Sequence, residues 1–168
     1  FLTLNGNLFV RTIALMFTFA FITAQGARQG ELILAANAIL MNLQYLLAFA
    51  LDGFAHAAEA LVGKAVGENN RAALRRSVTL ALRWSLIVAV GFSILFALSG
   101  SLLISILTNL SEIREATERY LPWLILSPLV AVWAYLYDGV FVGATLAKEM
   151  RNIMLISTFM IFVPAWYA

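Results

Sequence analysis

Residues 84–111 read WSLIVAVGFSILFALSGSLLISILTNLS, and no charged side chain interrupts them. A helix needs about 20 predominantly apolar residues to cross the hydrocarbon core of a bilayer, with a working range of about 17–25. Charge-free runs of near that length flank this one on both sides, at Thr12–Ala27, Leu32–Leu51, Tyr120–Tyr137 and Asn152–Ala168. The fold class that follows is all-α, a polytopic transmembrane bundle of five helices. The runs are apolar on every face, unlike the short alternating segments of a membrane β-barrel. Five of them are also not a single secretory leader. Composition agrees: the 168 residues are 62% hydrophobic and 12% charged, with a mean hydropathy of +0.90. A soluble domain carries about 25% charged residues.

The same numbers exclude several functions. A net charge of +2, scattered along the chain, is no nucleic-acid footprint. Cysteine is absent, which removes disulfide and thiolate chemistry. His56 is the only histidine, and HExxH, GxSxG and P-loop patterns are missing. The expectation is therefore no enzyme, no metal and no cofactor.

Turn signals place the helices over about 7–25, 31–66, 80–107, 114–146 and 149–168. Arg11 sits close enough to the first helix start to snorkel. Arg71 to Arg83 reads as a basic lead-in to the third helix, which Ser99-Gly100-Ser101 should loosen. Ser111 is the expected N-cap of the fourth. Pro122 and Pro128 invite kinks, and Pro164 should interrupt the fifth helix. With the N-terminus inside, basic residues divide eight to three in favour of the inner side, so the N-terminal end is expected to be cytoplasmic. A chain that opens Phe1-Leu2-Thr3 and stops within an apolar run is expected to be a fragment of something larger.

Polar groups inside a membrane are costly, so they are rare and commonly functional. Asp52 and Asp138 stand in apolar helices, each followed by glycine. Burial disfavours the charged form of a carboxyl, which is what a group that loads and releases protons needs. Such a carboxylate could equally ligate Na⁺, or simply pair with a neighbouring helix to fix packing. Asp52, His56 and Glu59 fall at i, i+4, i+7, with Tyr45 seven residues earlier, a pattern that suits either a proton relay or a polar stripe near the cytoplasmic mouth. Asn37, with other amides and hydroxyls of the first two helices, could line a cavity or hold helices together. The GxxxG spacings at Gly63–Gly67 and Gly139–Gly143 point to close helix packing.

Three segments are more specific. Ala58–Gly67 (AEALVGKAVG), Leu32–Ile39 (LILAANAI) and Asp138–Thr145 (DGVFVGAT) followed by Lys148-Glu149-Met150-Arg151 resemble the multidrug and toxic compound extrusion (MATE) transporters, the last segment resembling their DNA-damage-inducible (DinF) branch. The resemblance spans nearly the whole chain. It implies a twelve-helix protein of two six-helix lobes, in which residues 1–168 are helices seven to eleven of the C-terminal lobe. Sodium-coupled members of that family carry an acid in the seventh helix, whereas the first helix here has none. Their tenth-helix acid falls about a turn outward of Asp138, where this chain has Tyr135.

The resemblance implies a secondary antiporter of the cell inner membrane. It would export organic cations or amphipathic drugs and toxins in exchange for H⁺ or Na⁺ by alternating access. Asp138 and Asp52 would be the coupling groups, with His56, Glu59, Tyr135, Tyr45 and Asn37 as relay or cavity-lining residues. The implied partners are the small substrate, membrane lipid and the N-terminal lobe of the same chain, with a monomer at full length and no nucleic acid. The alternatives are a lipid-linked oligosaccharide flippase of related architecture, and a membrane scaffold that transports nothing.

Overall fold

The computed structural model describes the backbone of residues 2–167 and the side chains of residues 5–167. The described backbone is helical apart from short turns. α1 runs Leu2–Arg28, α2 Glu31–Gly67, α3 Arg71–Leu107, α4 Ser111–Gly143 and α5 Ala147–Ile156. A π-helical segment, Ser157–Phe162, joins α5 to α6, Val163–Tyr167. Among the described residues, four helices are long and apolar enough to cross a membrane: Asn5–Arg28, α2, α3 and α4. The 37 residues of α2 make a rod of roughly 55 Å at about 1.5 Å per residue, longer than the hydrocarbon core.

Several expected boundaries move. The basic stretch Arg71–Arg83 is part of α3 itself, because Asn70 caps that helix by accepting a hydrogen bond from the Ala73 N–H at 3.0 Å. Ser111 is the first residue of α4 and not its cap. Leu110 holds the cap position, and its N–H donates to Thr108 Oγ1 at 3.3 Å. Gly100 does not loosen α3; it is buried, and its missing Cβ makes room for the Leu121 side chain of α4. The fifth helix is widened and not ended by Pro164. Proline offers no N–H to the carbonyl four residues back and crowds it, and the preceding turn opens to π geometry, with the Val163 N–H donating to Thr158 O.

Two of the inter-helix turns share one construction. The Asn70 N–H reaches Ala65 O and the Asn69 N–H reaches Val66 O; Leu146 to Phe141 and Thr145 to Val142 repeat the pattern after α4. These are Schellman closures, which need a left-handed residue after the helix cap. Here that residue is Asn69 at φ 50° and Thr145 at φ 59°.

The core lies between α2, α3 and α4. Ile39, Leu43, Leu47 and Leu51 project from α2 at intervals of four against Ala89, Phe96 and Ile104 of α3 and Leu124 and Val132 of α4. The four-residue interval keeps all of them on one helix face. α2 and α4 run parallel and approach closely at one end, because Gly139 and Gly143 lie against the backbone of Ala55 and Glu59. A Cβ at either glycine would collide with the facing carbonyl, so the Gly139–Gly143 spacing serves helix packing. Gly63 adds to the same contact, facing Gly143 O, whereas Gly67 faces open space. Pro128 leaves the Leu124 carbonyl without its helical donor, and Ser127 Oγ lies 2.9 Å from that carbonyl and 2.8 Å from Gln44 Oε1 of α2.

α1 and α5 pair at the edge of this three-helix core. Arg151 donates to Asn7 Oδ1 at 2.7 Å, the hydroxyls of Thr18 and Thr158 meet at 3.4 Å, and Phe17 and Phe21 stack with Phe159, Phe162 and Trp166.

Candidate functional site

The Ala55–Gly139 and Glu59–Gly143 contacts bring Asp52 within a turn of the level of Asp138. The two acids are separated widely in sequence, and the parallel register of α2 and α4 places them together. The same register sets Glu59 against Gly143, and Tyr135 lies one turn before Gly139. Four of the expected residues, Asp138, Asp52, Glu59 and Tyr135, thus gather on neighbouring turns of α2 and α4 as one cluster. All four are partly buried.

A fifth member comes from α1. The Arg11 guanidinium is hydrogen-bonded and ion-paired through Nη2 to Asp138 Oδ1. The pair is partly withdrawn from solvent, at 22% side-chain exposure for Arg11 and 35% for Asp138. Arg11 therefore does not snorkel to the end of its helix. It lies two and a half turns inside α1, turned inward, and its Nε is buried without a hydrogen-bond partner. α1 and α4 share no close backbone contact, so the side chain spans the gap between them.

Beside this pair, between α1, α4 and α5, lies a cavity of about 600 Å³. Arg11 and Asp138 provide its charged groups, while Trp133, Tyr137, Phe141, Met150 and Met154 supply most of its wall. Aromatic rings and methionines make an adaptable apolar surface, and a few converging polar groups orient what enters it.

The remaining expected residues lie elsewhere. His56 is 79% exposed, with Nδ1 3.6 Å from Glu59 Oε2, so it touches the cluster only through Glu59. Asn37 and Tyr45 line a second cavity of about 280 Å³ between α1 and α2, together with Phe19, Thr23, Met41 and Asn42. Asn37 also closes over Gly26, the point where a Cβ on α1 would strike its amide. The spacing that put Tyr45 in line with Asp52 holds along α2, but the cavity lies toward α1.

Arg11 is the residue that sequence reasoning misplaced. Its signal was present: a lone arginine followed by the charge-free run Thr12–Ala27. Placing the start of the first helix near residue 7 made it a terminal charge, whereas helical backbone from Leu2 makes it an internal one.

Helices long and apolar enough to cross a bilayer, packed on a shared apolar core, define a polytopic α-helical membrane protein. Residues 8–167 match the MatE family, and the chain belongs to it. Over 156 residues it is 45% identical to DNA damage-inducible protein F of Escherichia coli (strain K12), an alignment covering 93% of this chain and 34% of that protein. The chain thus spans about a third of the length of that relative. No solved structure matches it.

Proposed function

We propose that this chain is the greater part of one lobe of a secondary antiporter that exports organic cations or amphipathic compounds in exchange for H⁺ or Na⁺ by alternating access. Membership of the MatE family supports the transporter class. The observation that carries the mechanism is the charged cluster: Asp138 and Asp52 at one level between parallel helices, beside an aromatic and methionine-lined cavity. In this mechanism Asp138 is the group that exchanges its partner as the lobe changes state, and Asp52 modulates it through charge. The chain performs no covalent chemistry and needs no cofactor beyond the coupling ion. Its place is the cell inner membrane, with the N-terminal end cytoplasmic and the other lobe supplied by the same polypeptide.

The flippase alternative asks for basic side chains free to meet phosphates in the cavity. Arg11 does line the cavity, but its guanidinium is engaged by Asp138. The test is dye export by the full-length protein in proteoliposomes under an imposed pH or Na⁺ gradient. Export should follow the gradient, and Asp138→Asn should reduce it at least tenfold while the protein still inserts and purifies normally. Export that ignores both gradients, or an Asp138→Asn variant with unchanged coupled export, overturns the proposal.

A further inference from the structure

One carboxylate of this cluster holds a cation. Asp138 of α4 is paired with Arg11 of α1, while the Ala55–Gly139 and Glu59–Gly143 contacts set Asp52 and Glu59 of α2 on the neighbouring turns. The neighbouring cations are engaged elsewhere: Arg151 donates to Asn7 and Asn152, and Lys64 lies 3.9 Å from Glu68. His56 faces outward beside Glu59. α4 itself adds Tyr135 and Tyr137, and the wall contributed by α5 (Met150, Ile153, Met154) carries no titratable group.

A carboxylate withdrawn from water needs a counter-charge. A hard alkali cation can supply one through carboxylate and carbonyl oxygens, which it prefers as ligands. A guanidinium tethered to the adjacent helix supplies the same charge at an effective concentration set by the fold and not by the medium. An alkali ion could take Asp138 only by expelling the Arg11 guanidinium against apolar walls. A proton needs no such space. It neutralises Asp138 directly and leaves the Arg11 guanidinium in its place.

We propose that Arg11 is a specificity-determining residue, a built-in counter-cation that closes the Asp138 cluster to Na⁺ and leaves the proton as its exchangeable ion. This deepens the antiport reading and rests on it for its consequence in transport, so the test measures cation binding instead. Full-length protein in detergent is melted in NaCl and in choline chloride at equal ionic strength, and the readout is the Na⁺-specific shift in Tm that Asp138→Asn abolishes. The wild type should show none. Arg11→Gln should acquire one, on the order of 1–2 °C for a site filled tenfold over half-saturation, and adding Asp138→Asn should remove it. Arg11→Lys, which keeps the charge, should stay indifferent like the wild type. An Asp138-dependent Na⁺ shift in the wild type overturns the proposal, as does a cooperatively melting Arg11→Gln that gains none. Should Arg11→Gln not fold, Arg11→Ala and Arg11→Met take its place and are judged by the same two outcomes. Loss of gradient-driven export would sink the antiport reading and leave these melting results standing.

Discussion

At the scale of single residues, Thr145 is held in a conformation that its β-branched side chain disfavours. Its φ of 59° follows from the Schellman closure of α4, in which the Leu146 N–H must reach Phe141 O. The left-handed region costs an L-residue roughly 1–2 kcal/mol, and glycine avoids most of that cost. Thr145→Gly is therefore expected to stabilise the protein by about 0.5–1 kcal/mol, the gain being trimmed by the greater freedom of glycine in the unfolded chain. Equilibrium unfolding in mixed micelles would check it, and a loss of stability would contradict the strain argument. Asp52 and Asp138 were legible at this scale, because a carboxylate in a long apolar run has no bland placement at a helix end. Arg11 was not, since one residue's role depended on where its helix begins.

At the scale of helices, the α2–α4 contact rests on Gly139 and Gly143. Each lets a backbone carbonyl of α2 come where a Cβ would stand. Gly139→Val should force the helices apart, lowering stability by about 1–3 kcal/mol. Gly67→Ala, with nothing within 4 Å of the added carbon, should stay within about 0.5 kcal/mol of the parent. Comparing the two variants by thermal melting separates packing from any general effect of removing glycine; equal losses would refute the assignment. The GxxxG spacing announced that some helix would approach closely. It could not name Ala55 and Glu59 as the surface approached, because that follows from the parallel register of two helices separated by the whole of α3.

At the scale of the molecule, α2, α3 and α4 form a packed unit, while α1 packs on α5 and more sparsely on α2, and reaches α4 through the Arg11 side chain. Removing that tether should free α1 relative to α4 and leave α2 and α4 as they are. Residues 1–168 contain no cysteine, so labels introduced here meet no competing thiol within this lobe. A pair at exposed Met16 of α1 and Val130 of α4 should give a broader distance distribution in Arg11→Gln than in the parent. A control pair at Phe49 of α2 and Val130 should not change. Broadening in both pairs, or in neither, would show that Arg11 does not serve as the tether.

The sequence by itself determined that this is an α-helical membrane protein, approximately where its helices run, and which two carboxylates stand in apolar surroundings. Those properties are local: apolar run length against bilayer thickness, turn residues, and charge that has no water to face. Only the tertiary structure decided which charges meet. Asp52 and Asp138 come to one level because two glycines admit the backbone of α2. Arg11 becomes the counter-ion of Asp138 because α1 lies across a cavity from α4. Tyr45 and Asn37 are drawn to a different cavity because their side of α2 faces α1. Periodicity along one helix tells which side chains share a face, but it carries no information about the helix that face will meet.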